Sequence, residues 1–278
     1  MTTAETDQTA RAAHFRALHR GSVLVLPNAW DAGSAAVIEA AGATAIATTS
    51  AGVSWAAGAA DAQGLSREQL VAAVGSIVQA VSLPVSADIE SGYGPGVDDV
   101  TATVRAIIEA GAVGINLEDT PGRDGATVRT ARDQAGRIAA ARAAADAAGV
   151  NLFINARTDI YLFGIGDPEA RFNDVQLRAE TYADAGADGL FVPGLLDLDV
   201  IATLAEGPLP LNVMAGPGAP PVSELAKAGA ARVSVGSAIA QSAYQLASRA
   251  ARELLTQGSY EALADPFDYA RLNALLSA

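Results

Sequence analysis

The chain has no cysteine, one lysine and two histidines among its 278 residues, and each scarcity removes a class of chemistry. Without cysteine there is no thiol nucleophile, no thiolate metal site and no disulfide. The lone lysine, Lys227, precedes a glycine helix stop at Gly229. A helix stop of that kind leads into the next strand, so it lies at the end of an α/β fold away from the mouth. Schiff-base and pyridoxal enzymes need a lysine in the site, and this one is out of reach. His14 and His19 fall on a polar helical pattern before the first strand, where a solvated or interface role is expected. Positive charge is also scarce: 18 Lys and Arg stand against 31 Asp and Glu, for a net charge of -13. That balance disfavours nucleic acid or an anionic membrane as partner. No apolar run reaches the length of a membrane span, and no basic-then-apolar leader opens the chain, so a cytoplasmic location is expected.

What is abundant is a repeating unit. Half of the residues are hydrophobic, and a helical pattern ending at glycine repeatedly runs into a short β-rich stretch. Gly42 leads to Ala45–Ala47, Gly111 to Val113–Ile115, Gly149 to Leu152–Ile154, Gly186 to Gly189–Val192, and Gly229 to Arg232–Val235. Adding Val23–Leu26, Leu83–Ala87 and Leu209–Val213 completes the eight strands of a closed (β/α)8 TIM-type barrel. No linker divides residues 1–278, which predicts a single barrel domain with an N-terminal helix and extended C-terminal helices. The extension, residues 237–278, carries apolar residues at helical spacing and is expected to pack on, or swap with, a partner subunit.

The chemistry concentrates where strands leave the core. Val85-Ser86-Ala87-Asp88-Ile89-Glu90-Ser91-Gly92-Tyr93-Gly94 is an apolar run ending in two carboxylates and a Gly-rich turn. Buried parallel strands read as continuous apolar runs, so the acids are expected beyond the strand proper, at its C-terminal tip. Two acids there suggest a hard cation such as Mg2+; the bland alternative is a cap on the helix near Val97. The other tips supply Asn28 to Asp31, Thr49 to Gly52, Asn116, Glu118, Asp119, Asn155, Arg157, Asp159 and Asn212. Arg157 suits bidentate capture of a carboxylate or phosphonate, or a structural ion pair with Asp159 or Glu118. Ser50, Ala51 and Gly52 form a loop offering N–H donors and a hydroxyl, suited to a carboxylate or oxyanion. Asp61 reads either as an acid holding metal-bound water or as a turn residue ahead of a Ser66/Gln69 capping box. Gly216-Pro217-Gly218 lacks the N–H donors of a phosphate loop and reads as a rigid lip.

The order Asn28-x-Trp30-Asp31, Thr49-Ser50-Ala51-Gly52, Ser86-Ala87-Asp88-Ile89-Glu90-Ser91-Gly92-Tyr93-Gly94, Asn116-Leu117-Glu118-Asp119 and Ala156-Arg157-Thr158-Asp159 resembles the phosphoenolpyruvate mutase/isocitrate lyase superfamily, on its phosphonomutase-like branch. The resemblance runs from about Phe15 to Gln257 and implies a barrel, Mg2+ or Mn2+, and homo-oligomers (dimers or tetramers) that exchange a C-terminal helix. It implies substrates with a 2-oxo acid or enolpyruvate core. By motif, Trp30, Thr49, Ser50, Ala51, Gly52, Arg157 and Asn212 would meet substrate. Asp88, Asp61, Glu90 and Glu118 would hold the metal and its waters, and Ser86 stands where many relatives have another acid. Arg157, Ser50, Glu118 and Tyr93 are the expected catalytic set, with Tyr93, Tyr161 or a metal-bound water returning the proton.

Two departures bear on the reaction. The C–C lyases carry a Cys-bearing lid after strand four, and phosphonomutases a lid with Lys and Asn; here the stretch is Thr120-Pro121-Gly122-Arg123-Asp124-Gly125. The lyase glutamate after strand six is replaced by Gly194 in Val192-Pro193-Gly194. The expectation is a Mg2+-dependent lyase breaking a C–C bond, by decarboxylation or retro-aldol cleavage, in a small 2-oxo or 2-hydroxy acid. The alternatives are a phosphonomutase or P–C hydrolase, and a barrel that binds metal and acid without turnover.

Overall fold

The computed structural model describes residues 3–62, 64–121 and 127–277. Helix α1 (Thr3–Leu18) leads into strands β1 (Leu24–Leu26) and β2 (Asn28–Ala29), then α2 (Ala32–Ala40), β3 (Ile46–Thr48), α3 (Ser50–Ala56) and α4 (Arg67–Ala80). There follow β4 (Val85–Asp88), α5 (Val97–Glu109), β5 (Gly114–Glu118), α6 (Ala131–Ala147), β6 (Phe153–Arg157) and α7 (Arg171–Asp184). The chain ends with β7 (Gly189–Phe191), α8 (Leu198–Ala205), β8 (Leu211–Met214), α9 (Val222–Lys227), β9 (Arg232–Ser234), α10 (Ala238–Gln257) and α11 (Tyr269–Leu276).

All ladders are parallel, and the sheet runs β1-β9-β8-β7-β6-β5-β4-β3-β2. Pro27 has no N–H to give a neighbour, so β1 and β2 are two halves of one stave. The first half pairs with β9 and the second with β3, which closes the ring. The result is the expected TIM-type barrel. Its strands are short and buried almost throughout, because helices cover the outside and side chains fill the lumen. The helix-stop glycines do what their position predicts: Gly111 has φ +97°, and a Cβ there would meet Val78 at 2.8 Å. Among the described residues, no helix is long and apolar enough to cross a membrane.

Four expectations need correcting. Ser50–Gly52 is the first turn of α3, with Thr49 at the N-cap position, rather than a loop. Asp88 is the last residue of β4 itself: strand alternation aims it into the lumen mouth, so it need not lie past the strand. The helix expected from Pro168 starts at Arg171. His19 is buried, not solvated: its ring stacks on Phe153 at 3.9 Å, and burial first, then the charge of Arg232, push its pKa down to about 4. The polar pattern of α1 hid this because one face, with Ala12 and Phe15 fully buried, plugs the N-terminal end of the barrel.

Candidate active site

Residues paired across neighbouring parallel strands share a face, and the register places Asp88 beside Asn116 and Glu118 beside Arg157. These side chains meet at the C-terminal mouth. Arg157 Nη1 lies 3.0 Å from Glu118 Oε2 and 3.7 Å from Asp88 Oδ2, and Nε lies 2.6 Å from Asp159 Oδ1. The guanidinium also lies 5.7 Å from the centre of the Phe191 ring. Arg157 therefore stands at the mouth already ion-paired, as the structural reading expected. Thr120 Oγ1 donates to Asp159 Oδ2 at 2.7 Å, fixing the carboxylate that orients the arginine.

Glu90 and Tyr93 have φ values of +49° and +55°, a region that non-glycine residues seldom enter. The surroundings hold them there. Glu90 N donates to Asp88 Oδ1 at 2.9 Å, and Tyr93 OH donates to Glu90 Oε1 at 2.8 Å. Arg67 donates to the Tyr93 carbonyl at 3.1 Å and pins the turn from below. Strain of this kind gathers at functional sites and persists only where the surroundings over-determine it.

The electrostatics are lopsided. Burial pushes the Asp88 carboxyl above its ordinary range while Arg157 pulls it back, and burial pushes Glu118 well up, with Asp159, Asp88 and Glu90 adding to the rise. The Tyr93 hydroxyl is also driven up by burial and by Glu90, so it keeps its proton. Asp61 is exposed, yet its charge reaches both Asp88 and Tyr93. It stands ahead of the Ser66/Gln69 capping box, which does form. Among the described residues, the Arg157 guanidinium is ion-paired with three carboxylates, Asp88, Glu118 and Asp159, while the charges of Arg232 and Arg129 reach Asp88 and Glu118 from further off.

That surplus of hard oxygen donors suits a divalent cation. Among the described residues, however, no three His, Cys, Asp or Glu side chains are arranged to hold one. The donor chemistry fits Mg2+ through Asp88 and Glu118 with water completing its shell; a ready-made protein cage is not there.

Not every expected site residue reaches the mouth. Asn212 lies in the layer beneath it: Asn155 Nδ2 donates to Asn116 Oδ1 at 2.9 Å and to Asn212 Oδ1 at 3.0 Å, and Asn212 Nδ2 donates to the Val213 carbonyl at 2.9 Å. Asp119 faces away and pairs with Arg178 at 3.1 Å. Gly52 packs tightly, since a Cβ there would lie 2.8 Å from Trp30 Cβ and 2.7 Å from Thr49 Cγ2. Gly194 has φ +84°, and a Cβ would lie 2.8 Å from the Leu162 backbone; no glutamate fits where the lyases carry one. Arg123 and Asp124 of the expected lid lie outside the described residues.

Sequence reasoning missed Arg232. Its side chain is 1 % exposed, and it reaches from β9 into the lumen, where Nη2 lies 3.5 Å from Asn116 Oδ1. The signal was a charged residue inside an otherwise apolar strand, Ala230-Ala231-Arg232-Val233.

Comparison with known proteins agrees with this architecture. The Phosphoenolpyruvate phosphomutase family profile matches residues 15–255. An uncharacterized protein of Mycobacterium tuberculosis is 36 % identical over 260 residues, 93 % of each chain. A Burkholderia cenocepacia J2315 structure, provisionally assigned as a lyase or mutase, superposes with a TM-score of 0.90 at 38 % identity, covering 98 % of each chain. An oxaloacetate decarboxylase of Pseudomonas entomophila is 33 % identical over 165 residues, 56 % of this chain and 52 % of its own. The chain belongs to the phosphoenolpyruvate mutase/isocitrate lyase superfamily, whose members include lyases and phosphonomutases.

Proposed function

We propose that the protein is a divalent-metal-dependent lyase that cleaves a C–C bond in a small 2-oxo or 2-hydroxy acid, with decarboxylation of an oxaloacetate-like acid as the simplest case. The observation that carries this reading is the gathering of three carboxylates, Asp88, Glu118 and Asp159, on the Arg157 guanidinium. Partial similarity to an oxaloacetate decarboxylase supports it. So does Gly194, which leaves no room for the glutamate of larger-substrate lyases.

Asp88 and Glu118, with Glu90 and Asp61 beside them, would hold Mg2+ or Mn2+. When bound, the ion supplies Lewis-acid polarisation of the 2-oxo group and charge stabilisation of an enolate. Arg157, held rigid by Asp159, binds the substrate carboxylate and sets which bond lies ready to break. The free N–H groups of Ser50, Ala51 and Gly52 face the acid's other end and oppose its developing charge. Trp30 and Thr49 close that side of the pocket. Tyr93, its proton held by burial and by Glu90, keeps that carboxylate in place, and the proton returned to the product carbon would come from water entering the mouth. The exposed Tyr244, Leu246, Leu254 and Leu255 of α10 support a second reading of the extension as a surface buried between subunits.

A panel of 2-oxo acids, malyl-type acids, phosphonopyruvate and phosphoenolpyruvate, assayed with and without Mg2+ for pyruvate release or isomerisation, tests the proposal. Metal-dependent pyruvate release from a dicarboxylate is expected. Turnover of the phosphonates alone would shift the assignment to P–C chemistry, the activity after which the matched family is named. Inactivity throughout with a thermal shift by Mg2+ and oxalate would leave a binding barrel, and inactivity with no shift would overturn the metal-and-acid site itself.

A further inference from the structure

Beneath the asparagine layer, three lumen side chains carry polar atoms that find no partner among the described residues. Arg232 Nε and Nη1, His19 Nε2 and Ser86 Oγ are all buried and lack hydrogen-bond partners. They come from three parts of the chain, β9, the residue after α1, and β4, yet they converge. Ser86 is paired with Gly114, and Gly114 with Phe153. A side chain at Gly114 would meet Phe15 at 2.7 Å and Ser86 Oγ at 2.9 Å, and His19 stacks on Phe153. Arg232 crosses from the opposite wall to Asn116 on β5, and its charge acts on both His19 and Asp88.

A charged guanidinium cannot be left dry at little cost, so something must answer it. The chemistry of His19 decides what. Its Nδ1 lies 2.9 Å from the Phe15 carbonyl oxygen, and a carbonyl only accepts, so Nδ1 carries the proton. The ring is neutral at pH 7, because burial and Arg232 hold its pKa near 4. Nε2 is therefore a bare acceptor. An anion seated on Arg232 would face that lone pair and add to the negative charge of the mouth. Water can accept from Arg232 and donate to His19, with Ser86 Oγ taking either role, and polar cavities with several partners are where buried water resides.

We propose that the barrel lumen holds an internal water cluster, sealed from solvent by α1, that bridges the Arg232 guanidinium to His19 Nε2 and Ser86 Oγ. The cluster gives the N-terminal plug a polar anchor inside the barrel. It also lets Arg232 hold the Asn116 amide with its oxygen turned inward, leaving the amide N–H groups to support Asp88 from below. Arg232 is thus a positioning residue for the mouth, acting through Asn116.

A high-resolution crystal structure of the unmodified protein, paired with a bromide soak, tests the bridge. Ordered water within hydrogen-bond distance of Arg232 Nε or Nη1 and of His19 Nε2, with no anomalous bromide signal there, is the expected result. A bromide on Arg232, a direct Arg232–His19 hydrogen bond, or a dry lumen would overturn the proposal. In solution, His19→Phe keeps the stack on Phe153 but removes the acceptor, and it should lower the melting midpoint. The same change made on top of Arg232→Met should lower it by less than half as much, since the bridge is already broken. Equal effects in both backgrounds would count against a shared water. Should Arg232→Met fail to fold, the crystallographic result on the intact chain still decides.

Discussion

Glu118 and Asp119 are adjacent in sequence, and β-strand alternation sends them to opposite faces of the barrel wall. Asp119, on the outer side, is completely answered by the chain: Arg178 Nη1 and Tyr182 OH each lie 3.1 Å from Oδ2, and the Asp159 N–H lies 3.0 Å from Oδ1. Glu118, on the inner side, must share one guanidinium with Asp88 and Asp159. Asp119 is fully buried and Glu118 is mostly so, and desolvation pushes both carboxyls upward. The difference between them lies in their partners: Asp119 meets a cation, a hydroxyl and an N–H, with Arg178 shared only with the partly exposed Asp174, whereas Glu118 shares Arg157 with two further carboxylates. The proposed binding of a cation and an acid rests on that crowding.

The comparison breaks hardest at Asp88. Asp88→Ala should lower turnover by about 10³-fold, the scale of removing one preorganised electrostatic group, while the melting midpoint without metal holds or rises because a crowded carboxylate has gone. Kinetics and a melting curve on the same preparation check this; unchanged turnover would remove Asp88 from the site. On the balanced side, Arg178→Met should do the reverse. It should cost about 3–5 kcal/mol of stability by stranding a buried carboxylate, with KM unaltered for the molecules that remain folded. Denaturant titration and steady-state kinetics separate those two effects.

A gentler way to sharpen the contrast is pH. Glu118 is raised above its ordinary 4.5 in the folded state, so the native protein binds the extra proton. Its contribution is fully present below the ordinary value and is lost as pH climbs through the raised one. Metal-free wild type should therefore lose ground to Glu118→Gln as pH rises from acid toward neutral. Saturating Mg2+, at 100 times its dissociation constant, should return about 2.7 kcal/mol to the wild type alone. A gap that stays constant with pH would show Glu118 already neutralised by Arg157. The smallest effect belongs to Lys227→Ala, which should leave turnover untouched, since the residue ends α9 at the opposite end of the barrel. An inactive variant would reopen amine chemistry.

Much of this was legible in the chain itself. Glycines closing five of the helices gave the βα repeat, and polar residues following most of the apolar runs marked the mouth. Asp88, Glu118 and Arg157 were identified as candidates for that reason, and the structure brings them together. Ser50–Gly52 was harder, because Ser and Gly serve both turns and helix starts, and only packing against Trp30 and Ala240 makes it helical. The burial of His19 was hidden because polar residues are interspersed through α1; the rings that enclose it are Phe15 on α1 and Phe153 on β6, with Arg232 of β9 acting on its charge. Asn212 sits low because barrel strands tilt, so equal positions along different strands end at different depths.

By itself the sequence determined the repeat, the sign of the charge at the mouth, and the exclusion of thiol and amine chemistry, because these depend on residue identity and local spacing. Tertiary structure alone decided which acids share Arg157, which carboxylate belongs to the wall, and that Arg232 and His19 are both buried with the charge of one acting on the other. Those outcomes depend on strand register and barrel closure, which bring residues more than a hundred positions apart into contact, and no local pattern encodes such distances.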